Sequence, residues 1–270
     1  MKNRLFIGGE IKRRAEAAVS ENTCTNNETG ILVEVRANIV LLNNKVNDNT
    51  HGIRACGDSA ISCTKNTIEQ NREIGMHVTD NVRAELFEGN SFYDNTNGLY
   101  IEGTARGTME NNHFQSNKEN GAGIFGNTKI WFVNNTCSQH SHAGVICGGA
   151  AYLVMMNNSI EENGIGVQLK EEATAEVKHN IFARNTSYGM KISDSVTGTV
   201  TSNQYHENGS SAFWVDTAKK IEFADNKQIE KGLTRLKPQY WYCKMKMKRS
   251  NQKAKKLKRS SIRANERVLE

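Results

Sequence analysis

The side chains best placed for chemistry are carboxylates recurring at matching points of a repeated phrase: Glu34, Asp80, Glu102, Asp194 and Asp216. Asp80 and Glu102 fall one repeat apart, as do Asp194 and Asp216. If the chain coils once per repeat, each pair belongs to adjoining coils, and two neighbouring carboxylates are what glycoside hydrolysis uses as acid and base or nucleophile. Asp80, Glu102, Asp194 and Asp216 are therefore the candidate catalytic residues. His77 lies close to Asp80 in sequence and reads as a lone imidazole on a strand face. A second set suits binding. Two residues after a recurrent glycine come Leu32, Arg54, His77, Tyr100, Phe125, Ile146, Gln168, Lys191 and Trp214. In a strand these point away from their inward apolar neighbours. Arg54, His77, Tyr100, Phe125, Ile146, Lys191 and Trp214 are the candidate contact residues, with Tyr100, Phe125 and Ile146 forming an apolar patch of the kind that marks contact sites. No cofactor or metal is expected: none of the six Cys residues forms a pair with metal-ligand spacing, and His140, His142, His179 and His206 read as turn residues.

What must position these residues is a repeat. Asparagine leads each unit at Asn22, Asn44, Asn66, Asn90, Asn112, Asn135, Asn158, Asn180, Asn203 and Asn226. Five residues later stand Asn27, Asn49, Asn71, Asn95, Asn117, His140, Asn163, Asn185 and Asn208. The third place of each unit carries Cys24, Val46, Ile68, Phe92, Phe114, Cys137, Ile160, Phe182 and Tyr205, and Gly30, Gly52, Gly75, Gly98, Gly123, Gly144, Gly166 and Gly189, then Ala212, open a further apolar burst. A fixed period of this length marks a solenoid. Period-two alternation within each burst marks strands, and three bursts per unit leave no room for a helix. The expected fold is all-β: a right-handed, single-stranded parallel β-helix with three short strands per coil, about nine to ten coils, and a basic C-terminal tail. Stacked asparagines fit it as amide ladders, each donating to one neighbour and accepting from the other.

The phrase Asn-x-apolar-x-x-Asn followed by Gly-apolar-x-apolar resembles the parallel β-helix repeats of the pectate-lyase-like superfamily. It is most similar to the β-helix region of F-box-only ubiquitin-ligase subunits and of the SHC-SH2-domain-binding protein family, over roughly residues 5–231. The resemblance implies a non-catalytic protein-interaction scaffold, with substrate recognition in a ubiquitin-ligase-like context; no F-box is present in the sequence. The superfamily also contains polysaccharide lyases and glycoside hydrolases, so a carbohydrate-active enzyme or glycan binder is the alternative. The Asp-Asp, Gly-His-Gly and Arg-x-Lys motifs of those enzymes do not accompany either carboxylate pair.

Composition divides the chain. The apolar fraction is 37% and there is a single proline, Pro238, as suits a thin core and long ladders of paired strands. From residue 232 onward Lys and Arg number 13 against 2 Asp and Glu, so the net charge of +6 is a basic tail on an acidic body. The expected divisions are a solenoid over 1–231, a cap over 232–243 and a helical or disordered basic tail over 244–270. The tail's Lys244, Lys246, Lys248, Arg249, Lys255, Lys256, Lys258 and Arg259 read as a solvated terminus, an import signal or a nucleic-acid patch. Ile7, Ile11, Ala17 and Val19 read as the last two strands of an incomplete coil, so a fragment of a longer protein is expected. Expected partners are a protein on the sheet face and an import receptor or nucleic acid on the tail. No apolar run approaches the ~20 residues of a membrane span, and the short Leu5-Phe6-Ile7 run is no signal-peptide core. With cysteines placed as small core residues, an intracellular location, cytoplasmic or nuclear, is expected.

Overall fold

The computed structural model describes residues 16–216 and 220–229. They form a right-handed parallel β-helix whose coils each contribute one strand to three sheets. One coil shows the plan: Ser159–Glu161, then Ile165–Leu169, then Thr174–Lys178, each pairing in parallel with its counterparts on the coils above and below. Two sheets have 10 strands and the third has 9 among the described residues. Ile7, Ile11, the expected cap and the basic tail lie outside the described residues; Ala17 and Val19 lie on the strand Glu16–Ser20.

The alternation dictates the core. Cys24, Val46, Ile68, Phe92, Phe114, Cys137, Ile160, Phe182 and Tyr205 form one buried column, in which Phe92 and Phe114 stack with centroids 4.8 Å apart. The described cysteines are free thiols, and Cys24, Cys137 and Cys147 pack as small apolar residues.

The asparagine ladders form as expected. Asn158 is buried; its Oδ1 accepts from Asn135 N–H at 2.8 Å and Asn135 Nδ2 at 3.2 Å, and its Nδ2 donates to Asn180 Oδ1 at 2.8 Å. The ladders thus satisfy both side-chain and backbone groups at the turns, which burial demands.

The glycine column is a close-approach device. A Cβ at any of Gly30, Gly52, Gly75, Gly98, Gly121, Gly144, Gly166 or Gly189 would come 2.3–2.8 Å from the carbonyl oxygen of the next residue in the column. The column runs through Gly121, not Gly123. Within Asn120-Gly121-Ala122-Gly123 the two glycines are two residues apart and so face the same side of the strand, and alternation alone does not separate them. Ala212 ends the column on the last described strand of its sheet, Ser211–Val215.

Candidate functional site

The 9-stranded sheet presents an outward row across consecutive coils: Leu32, Arg54, His77, Tyr100, Gly123, Ile146, Gln168, Lys191 and Trp214. Two of the expected contact residues need correction. Phe125 is not in the row: it follows the strand Asn120–Ile124, and Gly123 takes its place. Ile146 is in the row but only 7% exposed, so it is a buried residue and not part of an open patch.

The glycine produces something the expected stripe lacked. A Cβ at Gly123 would lie 3.0 Å from atoms of both the Phe125 and the Tyr100 rings. Without it, Phe125 stacks on Tyr100 with centroids 5.1 Å apart and planes inclined by 25°. His77 meets Tyr100 edge-on at 5.6 Å, and its Nε2 lies 2.9 Å from Glu102 Oε1. Lys170 Nζ stands 5.4 Å from the Phe125 centroid. Burial, assisted by Glu102 and Glu171, pushes the Tyr100 hydroxyl above its ordinary pKa, so it stays a neutral donor. Farther along, Lys191 covers Trp214 at 5.1 Å, a cation–π contact. Arg54 lies between Leu32 and His77 and is exposed.

The candidate carboxylates occupy different places in their coils. Asp80 and Asp194 belong to a row of left-handed turn residues that runs Val35, Gly57, Asp80, Gly103, Gly126, Gly149, Glu171, Asp194. Each position stacks on its equivalent, so Asp80 aligns with Gly103, and Asp194 with Glu171. Glu102 and Asp216 lie one place earlier in their coils, where they follow the strands Asn97–Ile101 and Ser211–Val215. The carboxylates in the turn row cap the coil before them: Asp80 accepts from Gly57 N–H at 2.8 Å, Asp194 from Glu171 N–H at 2.9 Å, and Glu171 from Gly149 N–H. These bonds favour the charged form. Lys170 and the Gly149 amide hold Glu171 below the usual carboxylate range, and the Glu171 amide and Ser193 do the same for Asp194.

Reading the sequence residue by residue missed a row on the neighbouring sheet. Arg83, Arg106 and Lys129 are in register on three consecutive coils, and all three are exposed. Each comes three residues after a member of the turn row, namely Asp80, Gly103 and Gly126. No local motif marks them, since they are 23 residues apart; writing the coils one beneath another would have shown them.

Two families match the chain. The one described as "Right handed beta helix region" covers residues 83–227, more than half of the chain. The chain belongs to this right-handed β-helix family. The family described as "Periplasmic copper-binding protein (NosD)" matches residues 7–130 of the sequence. No curated protein matches it. Kinship with F-box-only subunits or with the SHC-SH2-domain-binding family is not supported by either match, and neither is a ubiquitination setting. The expected cytoplasmic or nuclear location is overturned, because the NosD family is periplasmic. No helix among the described residues is long and apolar enough to cross a membrane.

Proposed function

We propose that this β-helix is a non-catalytic recognition scaffold that binds a polypeptide partner across the Tyr100–Phe125 platform. One observation carries the reading: the face offers a stacked aromatic pair, while the acid near it with a shifted pKa, Glu171, is shifted down. A general acid in glycoside chemistry needs the opposite shift. Carboxylates already engaged by turn amides serve the backbone. The aromatic anchors Tyr100 and Phe125 are of the residue types enriched at protein interfaces.

Copper, which the name of the second matching family mentions, does not fit the donors of the described residues. Among the described residues there is no group of three or more His, Cys, Asp or Glu side chains able to hold a metal ion. Met76, Met109, Met155 and Met190 are buried in the apolar core. Ubiquitin-ligase substrate recognition has no support from the matches and forms no part of the proposal.

The test is selection from a random-peptide display library with wild type and with Tyr100→Ser/Phe125→Ser, matched for melting temperature. Wild type should enrich a peptide family and the double variant should lose it. Equal enrichment would remove the platform as the site. Release of oligosaccharides from polygalacturonate or another polysaccharide would replace the reading with an enzymatic one.

A further inference from the structure

The turn row has two kinds of member. At Gly57, Gly149 and Glu171 the amide is capped by a carboxylate from the next coil, supplied by Asp80, Glu171 and Asp194. At Asp80, Gly103 and Gly126 the next residue in the row is Gly103, Gly126 or Gly149, which has no side chain to serve as a cap. Three successive amides therefore lack the carboxylate that their equivalents on both sides receive.

The same three coils carry the row Arg83, Arg106 and Lys129. None of these side chains forms an ion pair or hydrogen bond among the described residues. Like charges directly opposite one another on neighbouring strands are unfavourable, so an unrelieved row of three is a cost without structural return. Between the amides and the cations stand Asn81, Thr104 and Asn127, which are neutral. On one flanking coil the corresponding place is acidic, Asp58; on the other it is Ala150, with Glu172 one coil farther on. The result is a window three coils wide of three cations and three uncapped amides, bordered by Asp80, Glu85 and Glu102 and spanning about 10 Å between its outer coils.

We propose that this window, formed by the turn amides of Asp80, Gly103 and Gly126 and the cations Arg83, Arg106 and Lys129, seats carboxylate side chains of an acidic polypeptide segment. The inference rests on the reading that a polypeptide docks on this β-helix, and it adds the chemistry of that partner. The argument for carboxylate is internal: Asp and Glu side chains fill the equivalent seats on the adjoining coils. The cations supply steering and the amides supply direction.

A fluorescein-labelled dodeca-glutamate peptide, followed by fluorescence anisotropy, tests the proposal. The full chain is used with the basic residues of 244–259 replaced by Gln, so that the tail does not compete. Binding should weaken as salt is raised. Arg83→Gln/Arg106→Gln/Lys129→Gln should weaken it by about tenfold or more, with an unchanged or raised melting temperature, since a like-charge row has been removed. Arg83→Lys/Arg106→Lys/Lys129→Arg should retain it. Tyr100→Ser/Phe125→Ser should leave dodeca-glutamate binding within about twofold, because those rings lie outside the window; this separates failure of the window from failure of the platform. Equal affinity of the Gln triple variant and its parent would overturn the proposal. So would stronger binding of oligogalacturonate or oligo-dT than of the glutamate peptide at equal charge.

Discussion

The two asparagine ladders run side by side through the same coils, yet one is continuous and the other is broken. The first runs unbroken from Asn22 to Asn226. The second has His140 in the place of an asparagine. Its backbone N–H still donates to Asn163 Oδ1 at 3.1 Å, and its Nδ1 accepts from Asn117 N–H at 3.1 Å. There the substitution stops working. An asparagine Oδ1 accepts from both the N–H and the Nδ2 of the residue before it, as Asn163 lets Asn185 do. The imidazole has one acceptor nitrogen in that position, and Asn117 Nδ2 turns to Phe92 O alone. With Nδ1 accepting, the ring hydrogen lies on His140 Nε2, which is buried with no well-formed hydrogen bond and only the Phe114 carbonyl acting on it. A ring mimics half of an amide, and the other half becomes a buried orphan.

The largest expected effect comes from breaking the intact ladder. Asn158→Leu removes the acceptor for two buried donors of Asn135, N–H and Nδ2. At roughly 1–3 kcal/mol for each orphaned group, urea unfolding should show a loss of at least about 2 kcal/mol. A loss below about 0.5 kcal/mol would mean that the ladder is ornamental.

Next in size is an acid dependence peculiar to the broken ladder. Burial pushes the His140 imidazole down to about 4, with the carbonyls of Asn117 and Phe114 partly opposing. The unfolded chain, with an ordinary histidine near 6.5, binds this proton more readily than the folded one. Stability is therefore full above the unfolded pKa and is lost as pH falls toward the folded value, with little further loss from this residue below it. The difference amounts to about 3 kcal/mol at most. His140→Asn should flatten the slope of stability against pH between 6.5 and 4, measured by denaturant unfolding at a series of pH values.

The same variant measured at neutral pH gives a smaller effect of opposite sign. His140→Asn restores an acceptor for Asn117 Nδ2 and removes the orphaned Nε2–H, and should stabilise by about 1 kcal/mol. Destabilisation would show that the packing of the ring outweighs its missing hydrogen bonds. Smallest should be Asn27→Ala at the start of the second ladder. Asn27 donates to Asn49 Oδ1 and Thr25 O in a half-buried setting, and no described donor leans on its own Oδ1. A change of less than about 1 kcal/mol is expected.

The sequence made this architecture legible because it is periodic in the chain itself. The ladders, the apolar column and the three strands per coil all follow from residues repeated at fixed places. The site was harder to read, because it depends on departures from the period. The spacing from the second ladder residue to the column glycine is three between Asn95 and Gly98 but four between Asn117 and Gly121. That variation hid the true row and misplaced Phe125. A strand bulge between Ala84 and Leu86 shifts the count again on the coil before it. Burial of Ile146 has no local sequence signal. The turn carboxylates looked catalytic because spacing reports which coil a residue occupies, not whether its oxygen already holds an amide.

The glycine column has one more implication at its last member. Every earlier position must lack a Cβ because a carbonyl from the following coil sits where that carbon would be. Ala212 puts a methyl group in this place. A second molecule adding its own strand in register against Ser211–Val215 would drive a carbonyl oxygen into that methyl, well inside van der Waals contact. Parallel sheet edges otherwise invite such end-to-end addition. Among the described strands, a single carbon atom thus marks where that close seating of glycine against carbonyl ends.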